Sequence, residues 1–139
     1  MKTDKYIITE TKIPGFEFVK DAPAKDVMER VMFLDDRTIK GAFYVEVAWF
    51  MKATPPGPQT HVHDYDEVLG FFGTNPKDSH DLGGEVELWI DGEKHLITKS
   101  FLAFIPKGVK HCPLRVTRVD RPIFHFATSQ MSKYSGDKK

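Results

Sequence analysis

Two short stretches constrain this chain more than anything else in it: THVHDYDE, residues 60–67, and PKGVKH, which ends at His111. His61 and His63 are two residues apart, and on a β-strand that spacing turns both side chains to one face. Glu67 comes four residues after His63, past a polar bend at 64–66 short enough to fold a carboxylate back over the same place. His111 follows Pro106 and Gly108, which mark a turn leading into a strand. Three neutral imidazoles and one carboxylate suit a divalent transition metal. The competing reading is four unrelated surface polar residues.

The rest of the chain reads as short strands separated by turns. From Gly41 to Met51, Phe43, Val45, Val47, Trp49 and Met51 alternate with Ala42, Tyr44, Glu46, Ala48 and Phe50. The first set is wholly apolar and is expected to face the interior; the mixed set is expected to face out. Pro55, Pro56, Gly57 and Pro58 break that strand. Gln59–His63 then reads as the strand of the histidines, with Val68–Phe72 as its partner. Residues 74–84, TNPKDSHDLGG, read as an exposed loop, in which His80, Asn75, Asp78 and Asp81 are conceivable as a second metal site. Val86, Leu88 and Ile90 alternate toward one side, and Asp91-Gly92 signals a hairpin that returns through Lys94–Thr98 with His95 at the surface. Phe101–Ile105 is expected to be a buried strand, followed by strands at His111–Val119 and Pro122–Thr128.

Residues 1–40 are less regular. Tyr6–Ile8 and Phe16–Val19 are short apolar runs around a Pro14-Gly15 turn, and Asp21 and Pro23 could open a short helix. Val27, Met28, Val31 and Met32 fit helical spacing, yet Val31–Leu34 before Asp35-Asp36 fits a strand and turn, and strands are the favoured reading. The tail, 131–139, is polar and expected to fray. With strands at this spacing and no βαβ alternation, the fold class is all-β, a sandwich or closed barrel. The length, 139 residues, suits one domain with its own core.

The two stretches resemble the paired motifs of the cupin superfamily. The first has the form G-x5-H-x-H-x3-4-E-x6-G, and here the H-x-H-x3-E core is intact between Gly57 and Gly73, with the flanking glycines slightly out of step. The second has the form G-x5-P-x-G-x2-H-x3-N. Pro106, Gly108 and His111 match it, while Ser100 stands at its first glycine and Arg115 at its asparagine. The resemblance covers about residues 41–128. It implies a cupin-type double-stranded β-helix, a jelly-roll barrel over 41–130, with 1–40 as an irregular extension packed on the barrel or on a partner. It implies that His61, His63, Glu67 and His111 hold one divalent metal ion per chain (Fe, Mn, Ni, Co or Zn) in the barrel mouth. It also implies a homodimer, paired through the N-terminal segment.

If His61 and His63 point inward, so does Gln59; if His111 does, Arg115 can follow and hold a substrate carboxylate. His125 is a further pocket candidate, and Trp49, Met51, Phe71 and Phe104 are candidate walls. Cys112 alternates with His111 and is expected to be a small packed residue facing away. No residue pair forms a convincing acid/base dyad, so the catalytic residues stay unassigned. Twenty basic residues balance twenty acidic ones, which favours neither nucleic acid nor an anionic membrane. A single cysteine excludes an intrachain disulfide and fits a cytoplasmic protein. No apolar run approaches the ~18 residues of a membrane span, and the N-terminus lacks the apolar stretch of a signal peptide. The expected function is a metal-dependent enzyme of oxygenase, lyase or isomerase type acting on a small molecule. The alternative is a non-catalytic metal- or ligand-binding cupin.

Overall fold

Turn residues divide the chain as their chemistry requires. The clearest case is Asp91-Gly92, where both residues have positive φ (49° and 80°), the requirement of a tight two-residue hairpin. The computed structural model describes residues 1–11 and 24–130. Apart from one 3-10 turn, Asp4–Tyr6, its regular elements are all strands: β1 (Met28–Leu34), β2 (Tyr44–Phe50), β3 (Glu67–Phe72), β4 (Asp81–Ile90), β5 (Glu93–Lys99), β6 (Phe101–Ile105), β7 (His111–Val119) and β8 (Ile123–Ser129). They form two antiparallel sheets, ordered β1-β2-β8-β3-β6 and β5-β4-β7.

The sheets bury their facing sides against each other. Phe50, Leu69, Phe71, Ile105, Ile123 and Ala127 of the larger sheet meet Leu82, Val86, Leu88 and Val116 of the smaller. Burial of this apolar surface, at about 25 cal/mol per Å², is the main source of stability. The described part of the sandwich begins earlier than residue 41, because β1 is the edge strand of the larger sheet. The alternatives at 27–34 thus resolve as strand. Tyr6 and Ile7 are exposed, and the run at 16–19 with the turn and helix start near it lies outside the described residues.

Several boundaries and phases differ from expectation. In β2 the mixed set faces inward: Tyr44, Ala48 and Phe50 are buried, whereas Phe43 and Met51 are exposed. Apolar residues occupy both faces of this strand, so alternation alone did not choose between them. The outward Trp49 instead packs edge-on against Phe124 of β8, with centroids 5.2 Å apart. Residues 81–84, assigned to a loop, are the first part of β4, with a bulge before Val86. Strand β6 is buried on one side only; Leu102 and Phe104 are 64% and 60% exposed. Finally, 59–63 is no regular strand: it keeps a single bridge, His61 to His111. The prolines at 55, 56 and 58 have no N–H to donate, so a ladder cannot form before it.

Candidate metal centre

That proline-broken segment still runs along β7. Thr54 N–H donates to the Val116 carbonyl, Thr60 Oγ1 to the Cys112 carbonyl, and His61 and His111 exchange both backbone bonds at 3.0 Å. Gly57 permits the approach, since a Cβ there would collide with the Leu114 carbonyl. At the other end, Gly108 (φ 83°) turns the chain so that its N–H donates to the His63 carbonyl at 2.9 Å. The Asp66 carboxylate accepts from the Lys107 N–H in the same turn. The two sequence motifs are therefore stitched together by their own backbones.

The side chains converge accordingly. His63, Glu67 and His111 are 4%, 8% and 2% exposed. Glu67 Oε1 lies 3.4 Å from His111 Nε2 and 3.9 Å from His63 Nε2. The ligand atoms of these three residues all lie within 4.8 Å of one another. His61 joins through its ring, whose centroid is 4.7 Å from that of His63 and 4.5 Å from that of His111. Its closest ligand group is a second cluster, His61, His111 and Cys112. Of the four residues singled out by the motifs, three thus form one tight set and the fourth borders it. Cys112 is buried as expected but is not remote from the histidines.

Two carbonyls orient the imidazoles. His111 Nδ1 donates to the Val109 carbonyl and His61 Nδ1 to the Gln59 carbonyl at 2.8 Å, which leaves each Nε2 as the lone-pair nitrogen. Tyr65 stacks on His63 at 4.5 Å and holds its ring. The set fits a divalent cation. The Glu67 carboxylate is withdrawn from water among neutral donors, and a buried anion of that kind calls for a compensating cation. Histidine nitrogen and carboxylate oxygen suit Mn, Fe, Co, Ni or Zn.

The remaining expected pocket residues separate into two groups. Phe71 and His125 lie inside, with their rings stacked 4.2 Å apart. His125 Nδ1 donates to the Gly70 carbonyl, and burial pushes the imidazole down to about 4, so it is neutral at pH 7 with Nε2 as an acceptor. The other candidates do not reach the interior. Gln59 is exposed and contributes its carbonyl only. Trp49, Met51 and Phe104 lie on outer faces. Arg115 is turned out by register: from His111, opposite Ile90, to Leu114, opposite Leu88, β7 uses one more residue than β4. The extra residue reverses the alternation, so Leu114 packs on the core and Arg115 stands opposite Glu87 on the outer face. In the 74–84 segment Asp81 is held by Arg121 and Asn75, and among the described residues no ligand cluster forms there.

Reading the strand patterns missed four interior residues. Tyr44, Glu46, Arg30 and Ser129 all lie on the inner face of the larger sheet. The only signal for them was the mixed face of β2, which in a barrel with a polar mouth belongs inside.

No protein-family model matches the chain, and no curated protein matches it. Solved structures do. A recombinant oxalate oxidase in complex with glycolate aligns with TM-score 0.52 and 13% identity over 94% of this chain and 61% of its own. A cupin-superfamily sugar phosphate isomerase from Silicibacter pomeroyi aligns with TM-score 0.51 and 18% identity, covering 76% and 60%. Peruvianin-I, a cysteine peptidase from Thevetia peruviana latex, aligns with TM-score 0.52 and 14% identity, covering 94% and 75%. The chain thus spans about three fifths of the first two. Names so different on one architecture carry the fold and no activity. What the likeness shows is the fold: two antiparallel sheets in the cupin-type β-sandwich arrangement.

Proposed function

We propose that the chain is a metal-dependent enzyme acting on a small oxygen-rich molecule that binds to the ion at His63, Glu67 and His111. The observation that carries this reading is the buried Glu67 carboxylate held 3.4 and 3.9 Å from the Nε2 atoms of His111 and His63. So few protein ligands leave positions open for a ligand, which a closed structural site does not. Once bound, the metal would polarise a substrate oxygen and stabilise negative charge developing on it.

The protein's own residues define the surroundings. His63 and His111 present fixed nitrogens, and Tyr65 and the Val109 carbonyl keep those rings from turning. Phe71 and Phe50 pack around His125 and exclude water from that side. The neutral His125 is an interior proton acceptor at Nε2. Two of the structurally similar proteins are named for chemistry on small oxygenated compounds, an oxalate oxidase and a sugar phosphate isomerase. Oxygenase, lyase or isomerase chemistry on such a compound is the proposed class.

The test has two parts. Purified protein should carry close to one divalent ion per chain, and Glu67→Ala or His111→Ala should weaken metal affinity by more than ~10-fold. Metal retained at wild-type affinity in both variants would sink the site. The loaded protein is then screened anaerobically and in air against small carboxylates and sugars, by oxygen uptake and mass spectrometry. Tight binding without turnover under any metal would make it a non-catalytic binding cupin.

A further inference from the structure

The larger sheet carries a polar strip on its inner face, beside the metal ligands. Strand register fixes its order. Ser129 of β8 stands opposite Tyr44 of β2, and Thr128 stands opposite Val68 of β3, so Ser129 sits between Tyr44 and Glu67. One row further in, Glu46 stands opposite Ala127; a row beyond that, Arg30 of β1 stands opposite Ala48, which faces His125. The Tyr44 hydroxyl donates to Glu46 Oε2 at 3.2 Å, and Arg30 Nε lies 3.1 Å from the same oxygen. Arg30 and Glu46 are only 20% and 18% exposed. Both the Glu67 carboxylate and the Arg30 guanidinium act electrostatically on His125, so all three charges and dipoles share one interior.

Stability does not account for this strip. A half-buried ion pair is often no better than apolar residues of the same volume, and here it interrupts an otherwise apolar face. Ser129 Oγ is a second, independent sign. The residue is 5% exposed, and among the described residues its hydroxyl has no hydrogen-bond partner. A buried hydroxyl without a partner is costly unless something outside the chain satisfies it.

We propose that Ser129, Tyr44, Glu46 and Arg30 form the specificity strip for the distal, hydroxyl-bearing part of a small acid whose other end binds the metal. The assignment follows from donor and acceptor balance and rests on the metal-site reading above. Arg30 is already neutralised by Glu46, so a second carboxylate would meet that glutamate's charge. An alcohol both donates and accepts, as the strip requires: Glu46 accepts, Arg30 donates, the Ser129 hydroxyl can do either, and the Tyr44 oxygen, whose proton goes to Glu46, accepts. Two strand spacings of ~4.8 Å separate Glu67 from Tyr44, so the strip lies within reach of a metal-anchored sugar acid.

The experiment uses the full chain loaded with Ni(II) and isothermal calorimetry. The probes are gluconate, galactonate and mannonate, compared with 2-hydroxyhexanoate, which keeps the α-hydroxy acid but lacks the distal hydroxyls. The best aldonate should bind at least tenfold more tightly than 2-hydroxyhexanoate. Ser129→Ala, Tyr44→Phe and Glu46→Gln should each reduce that ratio at least threefold, with metal content and 2-hydroxyhexanoate affinity unchanged. A wild-type ratio below tenfold, or a ratio that all three variants preserve, overturns the proposal. Ser129→Ala removes an atom that bonds to nothing among the described residues, so it decides the matter even if another variant misfolds. Hydroxyl selectivity with no turnover of any aldonate would reject the enzymatic reading and leave this one standing.

Discussion

At the scale of single residues, the convergence of His63, Glu67 and His111 was legible and their neighbours were not. H-x-H-x3-E and P-x-G-x2-H are dictated by ligand chemistry and one glycine turn, both of which are local. Arg115 shows the limit. Its inward turn assumed an unbroken strand from His111, and one extra residue in β7 reverses it. Arg115→Met should therefore leave metal content and ligand affinity unchanged. It should also shift stability by less than about 1 kcal/mol, because among the described residues the buried Arg115 Nε has no acceptor to lose. A tenfold loss of ligand affinity would put the guanidinium back at the site. His125 yields a pH prediction. Its folded value is pushed down to about 4, chiefly by burial, against 6.5 when unfolded. Above pH 6.5 both states hold a neutral ring and the contribution is constant. As pH falls from 6.5 toward 4, the unfolded chain takes up a proton that the folded chain refuses, so stability drops by on the order of 3 kcal/mol. Urea melts at pH 7 and pH 4.5 should show this drop, and His125→Phe should lessen it. An equal drop in the variant would assign the effect to other groups.

At the scale of elements, what could be read was whatever a strand or turn announces by itself. Asp91-Gly92 demanded its hairpin, and Val86 and Leu88 marked the inner side of β4. The phase of β2 was hidden because both of its faces are largely apolar, and the polar interior beside His63, Glu67 and His111 accounts for Tyr44 and Glu46 turning in. The segment 54–61 was hidden for another reason. It serves as an additional strand alongside β7, but its prolines leave it only end contacts: Thr54 with Val116 at one end, Thr60 and His61 with Cys112 and His111 at the other. Gly57 is the point of closest approach between them. Gly57→Ala forces the segment off the Leu114 carbonyl and takes His61 with it. The variant should fold, since the core cluster lies elsewhere, but should bind metal more weakly than wild type by titration. Unchanged affinity would mean that His61 does not contribute to holding the ion.

At the scale of the whole molecule, the candidate metal cluster and the core occupy different parts of the same interior. The core residues extend through both sheets, from Phe50 and Ile123 to Val86 and Val116, while His63, Glu67 and His111 gather where β3 and β7 begin. Eleven phenylalanines and two tryptophans give the chain ample apolar volume to bury without help from an ion. The apoprotein should therefore keep its fold. After exhaustive chelation its circular dichroism should retain the β signal, and heating should still give one cooperative transition. Restoring the metal should raise stability only by mass action, by about 2.7 kcal/mol at a free concentration one hundred times the Kd. It should do so in wild type and not in His111→Ala. Loss of the β signal on chelation would instead mean that the ion holds β3 and β7 together. The site would then be structural, and the open positions on which a substrate depends would lose their main argument.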